Sequence, residues 1–160
     1  MHTKSLEKNV VSIFTDRLSD EFAAERFYIA AYNWCKLNGF DKAAEYYKGE
    51  ASTERSHQHL IMSQLTGWNA NPVLPTIDAS PTFSSIIDVL EQAYKMEYDL
   101  YLAYEQSMTK IDDKDYACKV FLMPFLEIQN ASVIEVADMM KKVEGVTDTA
   151  TIRLLEEHIF

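Results

Sequence analysis

Glycine and proline are scarce in this chain, with four of each among 160 residues. The sequence has no low-complexity stretch and no sustained alternation of apolar and polar residues, which argues against disordered and sheet-rich proteins. Its two cysteines, Cys35 and Cys118, are too few for a disulfide framework, and each lies in an apolar helical pattern. With 48% hydrophobic residues the chain can bury a real core. We therefore predict one all-α domain spanning residues 1–160.

Basic residues are also in the minority, since 15 lysines and arginines stand against 25 acidic residues and give a formal net charge of −10. This balance argues against nucleic acid or an anionic membrane as the main partner. No unbroken apolar run of about 18 residues occurs, and the N-terminal residues 1–7 lack an apolar signal region. A cytoplasmic protein with no membrane partner is expected. The acidic excess suits cations or simple solubility, and charge alone does not separate the two.

Apolar residues recur with helical period in five segments, with Gly39 and Gly67 closing the first two and Thr82 as a candidate N-cap of the third. Pro124 lies inside the fourth and predicts a kink or one lost hydrogen bond. The predicted helices cover residues 6–38, 41–66, 82–110, 114–144 and 148–159.

The segment from residue 67 to residue 81 carries three of the four prolines and has no helical period. A loop of about 15 residues can reach about 50 Å, which is enough to travel the length of a bundle. The second and third helices would then run parallel. Two antiparallel helix pairs joined by one long crossover make the ferritin-like four-helix bundle, here with a short fifth C-terminal helix.

One polar residue interrupts the apolar stripe of each long helix, and counting from the connecting turns places these residues at similar heights in the bundle. A lone carboxylate is costly to bury, whereas several carboxylates and one imidazole together suit a pair of divalent cations. The alternative is a set of unrelated surface acids and a satisfied core histidine. The presence of one polar residue on the core face of each long helix, an acid in three of them, disfavours that alternative. The candidates are Glu21, Glu54 with His57 one turn on, Glu97, and Gln129 with Ser132 one turn on.

Two further acids also lie close to these stripes. Glu25 falls in an apolar line of the first helix, and Glu50 precedes Glu54 by one turn. Both are possible accessory ligands. The favoured alternative is that they tilt to the bundle edge and pair with lysine or arginine.

The sequence resembles the ferritins over nearly its whole length. The resemblance rests on Glu21 followed by Tyr28, on the Glu-Arg-Ser-His run from Glu54 to His57, on the Tyr-Lys-Met-Glu run ending at Glu97, and on Gln129. It implies that Glu21, Glu54 and His57 hold a first iron, that Glu54 bridges, and that Glu97 holds a second. Gln129 would bind water or support the second iron, and Tyr28 would supply an electron or serve only as an aromatic core residue.

The family resemblance implies a ferroxidase that binds two irons per subunit, oxidises Fe(II) with dioxygen or peroxide, and stores ferric mineral in a homo-oligomeric shell of 24 subunits. Two alternatives stay open. One is a structural storage shell whose metal site is degenerate. The other is a di-metal oxidase that acts on an organic substrate, which would need a pocket beside the metals.

Overall fold

Five helices account for most of the chain in the computed structural model, which describes residues 6–76 and 78–160. Helices α1 and α2 pack as one pair and α3 and α4 as the other, while α5 lies across one end of the bundle against α2 and α4. This architecture confirms the predicted all-helical bundle with a long crossover and a short fifth helix. The prediction that residues 1–7 lack an apolar signal region concerns in part residues 1–5, which lie outside the described part of the chain. The helices are α1 (Lys8–Leu37), α2 (Asp41–Gly67), α3 (Ile86–Lys110), α4 (Tyr116–Val143) and α5 (Thr149–Ile159).

The third helix begins four residues later than predicted, because the cap is Ser85 and not Thr82. The Ser85 hydroxyl accepts the backbone N–H of Asp88 at 3.0 Å, and the Asp88 carboxylate accepts the N–H of Ser84 at 2.7 Å. This reciprocal pairing is the arrangement that satisfies the free N–H groups of a first helical turn. Thr82 remains in the extended crossover.

Left-handed backbone follows α1, α2 and α4, although not always at the predicted residue. Gly39 and Gly145 have φ values of 74° and 77° and follow α1 and α4, as the sequence suggested. After α2 it is Asn69, with φ 58°, that makes the turn, while Gly67 is the last helical residue. Asparagine tolerates this conformation better than most residues with a side chain.

The apolar core is divided into two clusters by a belt of buried polar residues. One cluster surrounds Tyr28 and Tyr47 at the end of the bundle that α5 covers, and the other surrounds Phe14 and Leu122 at the opposite end. On each long helix the buried polar residue falls between residues of the two clusters. The belt comprises Glu21, Glu54, His57, Glu97 and Gln129.

Helix α4 runs without interruption through Pro124, which faces solvent. Although the sequence has no unbroken apolar run, α4 is long and apolar enough by length and composition to cross a membrane, with a mean hydropathy of 1.3 over 18 residues. It also contributes Leu122, Gln129 and Val136 to the bundle interior. Several of its large apolar residues remain exposed, namely Tyr116, Val120, Met123, Ile128 and Ile134. The bundle alone therefore leaves an apolar surface on α4 uncovered.

Helix α5 is anchored to the turn between α1 and α2 by two charged side chains. The Glu156 carboxylate accepts a hydrogen bond from the backbone N–H of Ala43, in the first turn of α2, at 3.3 Å. The N-cap residue of α2, Phe40, makes no side-chain hydrogen bond to that turn. Arg153 donates to the carbonyl of Asn38 at 2.8 Å and covers the Phe40 ring. Glu156 thus acts as a cap for α2 from a distant part of the chain.

We expect Glu156→Ala to lower the free energy of unfolding by about 1 kcal/mol, the usual cost of losing an N-terminal cap. Glu156→Gln should cost less, because its amide oxygen can still accept the Ala43 N–H. The measurement is the guanidinium midpoint at one fixed protein concentration. Glu157→Ala is the control, since Glu157 forms an exposed ion pair with Lys42, and such pairs contribute little to stability. An equal shift for Glu156→Ala and Glu157→Ala would show that α2 needs no such cap.

Candidate metal centre

The first part of the centre joins α1 to α2 through three buried side chains. The Nδ1 atom of His57 lies 3.1 Å from a carboxylate oxygen of Glu21 and 3.0 Å from one of Glu54. Each of the three residues offers one ligand atom, and these atoms lie within 4.8 Å of one another. The one-turn spacing from Glu54 to His57 places both on the same face of α2. Two carboxylates and an imidazole could hold one divalent cation here.

A second group of ligands lies beside the first and shares one member with it. Glu50, Glu54 and Glu97 present carboxylate oxygens within 4.8 Å of one another, with Glu54 and Glu97 buried and Glu50 half-buried. The shared residue is Glu54, whose carboxylate has two oxygens. The arrangement therefore has the form of two adjacent cation positions bridged by one carboxylate.

Hydrogen-bond donors from three helices orient the carboxylates. The Tyr28 hydroxyl donates to one oxygen of Glu97, and the Gln129 amide donates to the other and, at 3.1 Å, to the backbone carbonyl of Glu97. The Tyr104 hydroxyl donates to Glu21. Sequence reasoning assigned Tyr104 no role, although it lies seven residues after Glu97 in the same apolar line. Such donors fix the orientation of ligating groups.

Burial and crowding shift the acidities of the ligands. Burial, together with the neighbouring Glu21, raises the pKa of Glu54 to about 9. Burial alone would raise the pKa of Glu21 as well, but hydrogen bonds from His57, Glu54 and Tyr104 together lower it. Burial opposes the charged imidazole, yet its two carboxylate partners raise the pKa of His57 to about 10. The metal-free centre therefore keeps protons at neutral pH that a cation would have to displace.

The two possible accessory acids have different environments. Glu25 accepts from the Arg55 guanidinium at 2.8 and 2.7 Å and from the Gln58 amide at 2.7 Å. It thus pairs at the bundle edge, as favoured from the sequence. Glu50 instead turns inward to the second ligand group, and burial with the nearby Glu135 and Glu97 raises its pKa to about 7. The favoured expectation of an edge pair was wrong for Glu50.

Ser132 is half-buried on α4, one turn beyond Gln129. Among the described residues, neither ligand group includes a carboxylate of α4, whose polar contribution to the belt is Gln129. The candidate ligands therefore come from α1, α2 and α3, and α4 supplies an amide that donates to Glu97.

Comparisons with known proteins agree with this architecture. A family model described as a ferritin-like domain matches residues 12–157. The bacterial non-heme ferritin of Staphylococcus saprophyticus is 30% identical over 126 residues, which cover 78% of this chain and 75% of that protein. The bacterial non-heme ferritin of Staphylococcus epidermidis RP62A is 29% identical over 126 residues, which cover 78% of this chain and 76% of that protein.

Solved structures show the same fold at low sequence identity. An open-pore ferritin from the archaeon Archaeoglobus fulgidus superposes with a TM-score of 0.89 at 14% identity, covering 96% of both chains. An engineered closed form of the Archaeoglobus fulgidus ferritin gives 0.88 at 15% identity, covering 97% of this chain and 96% of the other.

We expect cation binding at the centre to release protons at pH 7, because the pKa values of Glu54 and His57 in the metal-free protein both lie above that pH. Titration calorimetry with Zn²⁺ in buffers of different ionisation enthalpy should report about two protons released per chain, and fewer as the pH rises towards 10. Zn²⁺ is the probe because it undergoes no redox change. Binding without proton release would contradict the protonated ligand set.

Proposed function

The chain belongs to the ferritin family, and on that premise we propose that it is a ferroxidase that oxidises Fe(II) to Fe(III) at the bridged carboxylate centre and stores the product as ferric mineral. The observation that carries the proposal is the position of Glu54, which belongs to both ligand groups. A carboxylate shared by two cation positions fixes two ions side by side. Two one-electron donors held together can pass two electrons to one oxidant.

In the proposed reaction iron is the substrate and dioxygen or peroxide the oxidant. Glu21, Glu54 and His57 would hold the first ferrous ion, and Glu54, Glu97 and Glu50 the second. Two ferrous ions give up two electrons, and dioxygen that accepts them with two protons becomes hydrogen peroxide. Anionic oxygen ligands favour the more highly charged ferric state and so assist the loss of each electron.

Tyr28 and Gln129 would support this chemistry through Glu97. The Gln129 amide holds one oxygen of the Glu97 carboxylate, and the Tyr28 phenol holds the other. Both oxygens of Glu97 are therefore fixed before an ion arrives, which reduces the reorganisation that binding requires. The position of the Tyr28 phenol, beside a ligand, supports a role as electron donor more than that of a core filler.

Ferritins form shells, and the exposed apolar residues of this chain support assembly of the same kind into a homo-oligomer, which we propose has 24 subunits. Beside the apolar surface of α4, Leu37 and Leu154 are 86% and 84% exposed where α5 covers the bundle. Large apolar surfaces of this kind usually meet a partner. We also propose a cytoplasmic location, as expected from the sequence.

Two other functions compete with this proposal. A storage shell with a degenerate centre is disfavoured because the four candidate ligand acids and His57 form two close groups that share Glu54. An oxidase of an organic substrate would need a pocket at the metals. The cavity of about 550 Å³ between α1 and α3 is lined by none of the residues of the two ligand groups. A mineral core seen by electron microscopy after aerobic iron loading would favour the storage functions over the oxidase.

We expect Glu54→Ala to abolish fast iron oxidation, because one substitution removes a ligand from both positions. The loss should exceed the roughly 10- to 100-fold effect of removing a group outside the ligand set. The measurement is stopped-flow absorbance after aerobic mixing of metal-free protein with two ferrous ions per chain.

Glu45→Ala is the matched control, since Glu45 lies on the same helix, is exposed, and forms an ion pair with Lys48 at the surface. Its oxidation rate should equal that of the wild type. Equally slow oxidation in the wild type and in Glu54→Ala would overturn the ferroxidase proposal and leave a storage shell.

A further inference from the structure

Three tyrosines lead from the metal centre to the surface between α2 and α4. The Tyr28 hydroxyl donates to Glu97, and its ring stacks on Tyr47 with 5.9 Å between the ring centroids and 25° between the planes. The Tyr47 ring meets that of Tyr46 edge to face, at 5.2 Å. The Tyr46 hydroxyl donates in turn to a carboxylate oxygen of Glu135 on α4, at 3.3 Å. Ring contacts therefore run unbroken between two phenol–carboxylate pairs.

The three phenols differ in whether a base can take their proton. An oxidised phenol is a strong acid, so a tyrosine holds a radical at low cost only where a neighbouring base accepts the proton. Tyr28 has Glu97 and Tyr46 has Glu135. The hydroxyl of Tyr47 is fully buried and has no hydrogen-bond partner among the described residues. The ends of the row can hold a radical, and its middle can serve only as a bridge.

We propose that Tyr46 is a second electron donor for the metal centre, acting through the Tyr47 ring and Tyr28, with Glu135 as its proton acceptor. This inference rests on the proposed ferroxidase function, which supplies dioxygen as the oxidant. It extends the donor role of Tyr28 to a residue nearer the surface. Tyr46 and Glu135 lie outside both ligand groups, so the pair can be altered without removing a ligand.

The electrons and protons of the relay balance. The hydrogen peroxide formed by the ferrous pair takes two further electrons, with two protons from solvent, to become two molecules of water. Tyr28 gives one of these electrons and passes its phenolic proton to Glu97, and a further ferrous ion gives the other. Tyr46 then returns an electron to Tyr28, which recovers its proton from Glu97, while the Tyr46 proton moves to Glu135. The radical on Tyr46 ends when a further ferrous ion is oxidised to ferric and the proton returns from Glu135.

A second aromatic route leaves Tyr28 but is less suited to this role. Phe27 and Phe83 connect Tyr28 to Trp34 through ring contacts of 5.5, 5.5 and 6.4 Å. Phenylalanine is much harder to oxidise than tyrosine and has no phenolic proton to release. The Trp34 route therefore needs one more transfer and crosses two rings that cannot hold a radical.

For the test, metal-free protein is mixed aerobically with two ferrous ions per chain, and samples are frozen at a series of times after mixing. Electron paramagnetic resonance follows the radicals, and absorbance follows iron oxidation in parallel. The wild type should show an early Tyr28 signal replaced by a later one. In Tyr46→Phe the later signal should be absent and the Tyr28 radical should persist several-fold longer, with the rate of iron oxidation unchanged. Tyr28→Phe should remove both signals.

Substitutions of the bridge and of the alternative route complete the design. Tyr47→Phe keeps the ring and should match the wild type, whereas Tyr47→Leu should prolong the Tyr28 radical. Trp34→Phe is the matched control and should change nothing. The relay is overturned if Tyr46→Phe decays like the wild type, or if Tyr47→Phe or Trp34→Phe prolongs the radical. If iron oxidation in these variants is as fast as in the wild type, such a result would overturn the relay and leave the ferroxidase proposal standing. Absence of fast oxidation in the wild type would overturn both proposals.

Discussion

The structure depends on the cost of burying several carboxylates at one level of a helical bundle. An ionised carboxylate moved from water into an apolar interior loses several kcal/mol of solvation, and like charges nearby add repulsion. In the metal-free protein, shared protons and hydrogen-bond donors reduce this cost. His57 lies between Glu21 and Glu54. The Tyr104 hydroxyl donates to Glu21, and the Tyr28 hydroxyl donates to Glu97. Cations at the same level would replace the protons and neutralise the acids together.

This polar belt explains why the hydrophobic core is divided in two. The buried apolar residues separate into two clusters at the level of the carboxylates, where the partly buried Met96 packs against both, and each end of the bundle is closed by its own cluster and its own connections. At one end α5 extends the cluster through Ile152 and Ile159 and caps the start of α2 through Glu156. At the other end Ile111, in the short connection between α3 and α4, is buried in the second cluster. Rigid ends therefore hold a polar middle in place.

The sequence predicts the helices and the inward-facing acids because both follow from period alone. A residue in the apolar line of an amphipathic helix must face the interior, and Glu21, Glu54, Glu97 and Gln129 are all buried. The helical period does not predict which of two inward-facing acids will pair with a residue of a neighbouring helix. Glu25 and Glu50 have similar positions in the sequence pattern. Glu25 forms an ion pair with Arg55, whereas Glu50 turns inward to the second ligand group.

The cap of α3 follows from a local signal that the helical period does not contain, whereas long-range contacts are settled by the tertiary structure. Thr82 and Ser85 are both acceptable caps, but only Ser85 has an acid three residues later that completes the reciprocal pairing. The contact of Tyr104 with Glu21 joins residues 83 positions apart. No local pattern predicts that contact, since it depends on how α1 and α3 pack.

The two proposed cation positions differ in access, and this difference gives the reaction a direction. The first is enclosed by Glu21, Glu54 and His57, all buried. The second includes the half-buried Glu50, whose pKa is raised by burial and by the nearby Glu135 of α4. An ion in the second position would therefore lie nearer the surface between α2 and α4. The Tyr46–Glu135 pair lies on the same side. The side from which product would leave is thus also the side from which electrons would enter.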